Sequence, residues 1–254
     1  MNASPSALRS ISVVLVRPES PGNIGAVARI IRNFGLGPIT IVGEPLHTDR
    51  EAERLAHRSL GVLRAAKVFP DLESALEGSQ WVIGTSGRIR RKGPQPIPVR
   101  SVASHIVHRA EADPGALVFG PESDGLSLRD LARCDAVVRI PQRTDGPALN
   151  LAQAVAIVAS ELFQAALVPA AIPPPRLTDR RTRIRVAERM ARVARHCGLP
   201  VRNRPEEFSE ALRGMLARHE YTPHELAIFE CWLTQIEWFV GLSNALPSRG
   251  ACDG

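Results

Sequence analysis

The chain has 254 residues, 44% apolar and 23% charged, an ordinary globular balance that provides a core for one large domain or two modest ones. Lys plus Arg total 32 against 26 Asp plus Glu, a formal charge of +6, and only Lys67 and Lys92 are lysines. No run approaches the roughly 18 apolar residues of a membrane span, and Cys134, Cys197, Cys231 and Cys252 lack metal-ligand spacing, so neither a membrane protein nor a metal site is expected.

The arginine-rich charge suits phosphate and nucleic-acid partners, although a GC-rich genome would give the same bias. Met1–Arg9 lacks the long apolar core of a signal peptide, and scattered single cysteines suit a reducing compartment, so a cytoplasmic location is expected.

The first predicted strand is Ser12–Val16. Pro21-Gly22-Asn23-Ile24-Gly25-Ala26-Val27-Ala28-Arg29 follows it and reads as a glycine turn opening a helix, Ile24–Phe34. Ile24, Val27, Ala28 and Ile31 form its apolar stripe. Asn23 and Arg29 put an amide and a cation beside the free N–H groups expected at that helix start, which favour polar or anionic ligands. Gly22 and Gly25 give only G-x-x-G, short of a dinucleotide fingerprint.

Further strands are predicted over Ile39–Val42, Trp81–Gly84, Ala116–Phe119 and Ala136–Ile140. Helices are predicted over Glu51–Leu60, Leu72–Leu76, Val99–Ala110, Ser127–Ala132 and Leu151–Ala166. This alternation predicts an α/β domain with a mostly parallel sheet. Ligands of such sheets bind beyond the carboxyl ends of the strands, where Asn23, Thr85, Gly120 and Pro141 all fall.

Two of these loops carry further polar groups. In Leu117–Ser127, Gly120 would let a ligand approach the backbone, and Glu122 could orient an arginine or accept from a substrate; a plain β-to-α turn with a surface carboxylate explains the same residues. In Ile140–Ala152, Asp145-Gly146 marks a turn and Asn150 stands where an N-cap is needed, a role worth about 1 kcal/mol.

Pro169–Pro175 is a stiff, helix-breaking spacer. Helices are predicted beyond it over Asp179–His196 and Glu206–Arg218, and a third opens at Thr222-Pro223-His224-Glu225, a capping-box sequence. We therefore divide the chain into a domain over 1–168, a linker over 169–177 and a helical extension over 178–254. Residues 176 to 204 contain ten arginines. Arg181, Arg185, Arg189 and Arg192 fall on one side of a helix, beside an apolar stripe of Ile184, Ala187 and Ala191; the side would grip RNA phosphates or form a solvated face.

Together the three loop segments resemble the SpoU-type branch of the SPOUT RNA methyltransferases, and among them the TrmJ-like tRNA/rRNA 2′-O-methyltransferases. The family's Asn-x-Gly turn with Ala-Arg corresponds to Asn23, Gly25, Ala28 and Arg29; its Phe-Gly-x-Glu-x-x-Gly-Leu to Phe119, Gly120, Glu122, Gly125 and Leu126; its Ser-Leu-Asn-Leu to Ala148, Leu149, Asn150 and Leu151. The resemblance covers roughly residues 10 to 167, with a looser likeness in the helical extension.

It implies a trefoil-knotted α/β domain, a homodimer, an RNA substrate (most readily tRNA, in the anticodon loop) and S-adenosylmethionine held by Thr85, Ser86, Gly87, Gly120, Ile140, Pro147, Ala148 and Leu149. It implies that Arg29 activates the ribose 2′-hydroxyl, that Asn23 and Glu122 position Arg29 and the substrate, and that Asn150 holds the catalytic loop. The chain departs from the family at Ala148, where a serine is usual, which leaves open a silent RNA-binding relative or a substitute hydroxyl from Thr144. A nucleotide-dependent oxidoreductase is a third class, motivated by the α/β pattern and Gly22–Gly25 alone.

Overall fold

A computed structural model describes residues 5–87, 95–143, 147–168, 178–198, 205–218 and 221–242. The chain forms two compact units, Met1–Pro174 and Pro175–Gly254.

The first unit holds strands β1 (Ile11–Val16), β2 (Ile39–Val42), β3 (Lys67–Phe69), β4 (Trp81–Thr85), β5 (Ile97–Pro98), β6 (Gly115–Phe119) and β7 (Ala136–Arg139), and helices α1 (Pro21–Phe34), α2 (Arg50–Ala56), α3 (Leu60–Arg64), α4 (Leu72–Ala75), α5 (Val99–Ala112), α6 (Leu128–Leu131) and α7 (Leu151–Leu167). The strands form one seven-stranded sheet in the order β3-β2-β1-β6-β4-β7-β5. Every pairing in it is parallel.

Buried parallel strands read as continuous apolar runs because both faces are covered. On one face Val13, Leu15, Ile41, Trp81, Leu117 and Phe119 meet the apolar sides of α1, α5 and α7. On the other, Val14, Val16, Val82 and Val118 meet Leu72, Leu76 and Leu131.

Two expectations need correction. The glycine turn is instead the first turn of α1, which starts at Pro21 with Ser20 as N-cap. A Cβ at Gly25 would stand 2.2 Å from the Ala52 carbonyl oxygen, so this glycine permits close packing of α1 on α2. The helix expected over Glu51–Leu60 is broken: His57 takes φ 50°, and a 3-10 turn, His57–Ser59, separates α2 from α3. Strands β3 and β5 had no counterpart in the sequence reading.

The second unit contains α8 (Arg180–His196), α9 (Pro205–Arg218) and α10 (Pro223–Phe239). Val186, Ala187, Val193, Leu216, Leu226 and Leu233 make its core. The expected capping box is formed, with Thr222 and Glu225 bonded reciprocally at the start of α10. The proline-rich spacer at 169–177, Lys92, Thr144, the Asp145-Gly146 turn and Cys252 lie outside the described residues. Among the described cysteines, Cys134 is a buried thiol and Cys197 an exposed one, while Cys231 is disulfide-bonded and so departs from the expectation of single cysteines. No helix among the described residues is long and apolar enough to cross a membrane.

Candidate active site

The strand order reverses direction between β1 and β6, and parallel sheets bind ligands beyond the carboxyl ends at such a switch point. The loop after β1 and the loop after β6 meet there. The Glu122 carboxylate accepts from the backbone N–H of Glu19 at 2.9 Å and of Ser20 at 3.3 Å, and from Asn23 Nδ2 at 2.6 Å. Asn23 Oδ1 in turn accepts from Asn150 Nδ2 at 2.9 Å. Asn150 Oδ1 accepts from Ala152 N at 2.9 Å, and Gln153 closes a capping box on α7.

This chain has a fixed direction. An ionised carboxylate only accepts, so Asn23 must present its NH2 to Glu122 and its oxygen to Asn150. Asn150 then uses its own oxygen for the helix cap and its NH2 for Asn23. Three residues expected to share the site, from three separate segments, are therefore bonded in series. Asn150 thus caps α7 and bonds Asn23 at the same time.

Arg29 sits apart from this series. It is exposed, and among the described residues it makes no hydrogen bond or ion pair. Six residues beyond Asn23, it lies about 9 Å further along the α1 axis and about 120° around it. Glu122 thus holds Asn23 and two backbone N–H groups within the chain rather than orienting Arg29.

Of the residues expected around a cofactor, Thr85–Gly87, Gly120 and Ile140 fall at the carboxyl ends of the neighbouring strands β4, β6 and β7, and Pro147–Leu149 lie just before α7. The Thr85 hydroxyl donates to the Val118 carbonyl at 3.0 Å, and Ser86 N donates to the Val138 carbonyl at 2.9 Å. Ile140 and Leu149 are half-buried, and Gly87, Pro147 and Ala148 are exposed. Gly120 has a different purpose from the one expected. Its missing Cβ would stand 2.3 Å from the backbone of Gly125 and Leu126, so the space is filled by the loop itself and is not left for a ligand.

An open cleft of about 1180 Å³ lies elsewhere, over the carboxyl ends of β1, β2 and β3, with Arg17, Gly43, Asp71, Ser127, Asp130 and Arg133 in its walls. No group of His, Cys, Asp or Glu among the described residues is arranged to hold a metal ion.

Half of the arginine stripe of the extension is committed. Arg185 Nη2 bonds Glu230 at 2.6 Å, and Arg189 bonds both Glu237, at 2.7 Å, and Thr234. The Glu237 bond is the main cause that raises the Arg189 guanidinium above its usual value. Arg181 and Arg192 are exposed on the same helix. The stripe is thus half a packing device between α8 and α10.

Sequence reasoning missed Glu19 and Ser20, which act through backbone N–H groups, and Arg17 and Asp130. Ser127-Leu128-Arg129-Asp130 has capping-box spacing and could have revealed Asp130.

Comparison with known proteins bears on these motifs. The SpoU rRNA Methylase family matches residues 10–160. The tRNA (cytidine/uridine-2′-O-)-methyltransferase TrmJ of Yersinia pestis (strain Pestoides F) is 31% identical over 256 residues, covering 97% of each chain. The crystal structure of TrmJ from Z. mobilis ZM4 superposes with a TM-score of 0.72 at 27% identity, over 89% of this chain and 98% of that one. A structure described as giving insights into the 2-OH methylation of C/U34 on tRNA matches with a TM-score of 0.50 at 25% identity, over 61% of this chain and 95% of that one. The matched segment contains all three motifs and the whole Asn23–Glu122–Asn150 series, and the chain belongs to the SpoU rRNA methylase family.

Proposed function

We propose that the chain transfers a methyl group from S-adenosylmethionine to a ribose 2′-hydroxyl of tRNA, in the anticodon loop. The observation that carries this reading is the Asn150–Asn23–Glu122 series at the switch point, in a chain 31% identical over 97% of its length to a tRNA 2′-O-methyltransferase. The anticodon position is supported by the resemblance to the structure concerned with C/U34.

When bound, S-adenosylmethionine supplies a methyl group on a positively charged sulfur. The loops after β4 and β7 suit such a ligand, because Thr85–Gly87, Ile140 and Pro147–Leu149 offer backbone groups and apolar surface and no side-chain charge. A 2′-hydroxyl is a weak nucleophile, so the residues around it would have to align it for attack and assist loss of its proton to water. Arg29 activates that hydroxyl. Asn23 and Glu122 fix the loop that presents the ribose, and Asn150 ties this loop to the start of α7.

The reading includes a homodimer, the trefoil knot of the family, a cytoplasmic location with the tRNA, and RNA contacts from the helical extension through Arg181 and Arg192, with Arg185 and Arg189 holding α10. Its test is a map of 2′-O-methyl sites in RNA from cells with and without the gene. Loss of one tRNA anticodon-loop methyl group is expected. Loss confined to ribosomal RNA would overturn the substrate, and an unchanged map would overturn the activity.

A further inference from the structure

Arg17 directly follows β1 and lies in the left-handed region, at φ 48°, just before Pro18. Residues with a side chain avoid that region, and a following proline narrows the choice again. Surrounding contacts must therefore impose the conformation. The Arg17 N–H donates to the Val42 carbonyl at 2.8 Å. Its side chain lies over Gly43, with Cγ 3.7 Å from where a Cβ would be. Its Nη2 bonds Asp130 Oδ2 at 2.8 Å.

Asp130 is itself immobilised. It is 6% exposed, and Oδ2 also accepts from Ser127 N at 3.0 Å and Ser127 Oγ at 2.7 Å. Burial opposes its ionisation, but the bonds from Ser127 and Arg17 outweigh burial and hold the carboxyl below the ordinary aspartate value. The segment from the end of β6 through α6 is thus tied to the loop after β1 at two points. Asp130 holds Arg17, and Glu122 holds Glu19 N and Ser20 N. The Ser123 hydroxyl adds a bond to the Glu19 carboxylate between them.

We propose that Arg17 and Asp130 are positioning residues for the Glu122 site: their ion pair locks the left-handed turn that aims the Glu19 and Ser20 N–H groups at the Glu122 carboxylate. The catalytic meaning of this lock rests on the methyl-transfer reading; the lock itself does not.

The test uses the full chain and five variants: Arg17→Gln, Arg17→Lys, Arg17→Gly, Asp130→Asn and the double Arg17→Gln/Asp130→Asn. Amide hydrogen exchange at Glu19 and Ser20 reads the lock. Arg17→Gln and Asp130→Asn should each speed it about tenfold with the sheet amides unchanged. The double variant should match the worse single variant, and Arg17→Lys should recover part of the protection. Arg17→Gly adopts φ 48° without strain, so backbone strain cannot account for its behaviour, and it should exchange like Arg17→Gln. In methyl transfer, kcat should fall about tenfold in the same variants while KM for tRNA stays within twofold.

Parent-like exchange in Arg17→Gln and Asp130→Asn would overturn the proposal, as would parent-like exchange and turnover in Arg17→Gly. A rise in KM for tRNA in the Arg17 variants alone would instead make Arg17 a direct RNA contact. If exchange responds as expected but the parent transfers no methyl group, the lock stands and the methyl-transfer reading fails.

Discussion

Glu122→Gln isolates the chemical logic of the site, because it changes charge and one donor–acceptor identity at nearly constant volume. All three neighbours of the carboxylate are donors: Glu19 N on Oε2, and Ser20 N and Asn23 Nδ2 on Oε1. Glutamine keeps one acceptor oxygen. In its better orientation that oxygen retains Ser20 and Asn23, and its NH2 faces the Glu19 N–H, so one bond is lost and the other two lose their charge assistance. Hydrogen bonds to a charged group contribute about 1.5–3 kcal/mol each. Water can replace part of the loss at the exposed Glu19, so a cost of about 2 kcal/mol follows, or roughly 30-fold in the population of the ordered loop. In the worse orientation the glutamine donates toward Asn23, whose amide must flip, and the Asn150 bond is lost as well. Single-turnover methyl transfer at saturating tRNA and S-adenosylmethionine should fall by roughly 30-fold or more. The melting temperature should fall by no more than about 8 °C. A variant with the parent's rate and melting temperature would show that the Glu122 charge does not order this loop.

Arg29→Ala should abolish methyl transfer while leaving S-adenosylmethionine affinity within about tenfold; persistence of transfer near the parent rate removes Arg29 from its assigned role. Ala148→Ser should raise the single-turnover rate with little change in cofactor affinity, since a hydroxyl near the reacting ribose acts mainly in the transition state; an unchanged or lower rate shows a site rebuilt around alanine. Arg181→Gln and Arg192→Gln should each flatten the salt slope of tRNA binding by about one unit. By contrast, Arg189→Gln should leave the slope nearly unchanged and destabilise the helical unit, because it strips Glu237 of its partner; the reverse pattern, read by binding across a salt series and by thermal melts, would assign the RNA contact to Arg189.

What the sequence revealed and what it concealed have physical causes. β1, β2, β4, β6 and β7 were legible because strands buried on both faces leave apolar runs. β3 and β5 were not: each is a short edge strand, and Lys67 and Val68 of β3 are exposed, so no pattern marks them. Asn23, Glu122 and Asn150 could be named from loop position and motif, and the structure bonds them together. The bonds to Glu19 and Ser20 were hidden because they use backbone N–H groups, which no residue type encodes. Gly22 and Gly25 read as a turn because glycine's use in close helix packing leaves the same letters. The arginine stripe was legible as a stripe, but its partners Glu230 and Glu237 lie about 45 positions away on α10, beyond the reach of helical periodicity.

Ribose methylation of tRNA is read out by mass spectrometry of nucleosides from tRNA incubated with the purified chain and isotopically labelled S-adenosylmethionine. One labelled 2′-O-methyl nucleoside from the anticodon loop is expected, lost when the 2′-hydroxyl at that position is replaced by hydrogen. A label on a base, or transfer that survives the 2′-deoxy substitution, would contradict ribose methylation.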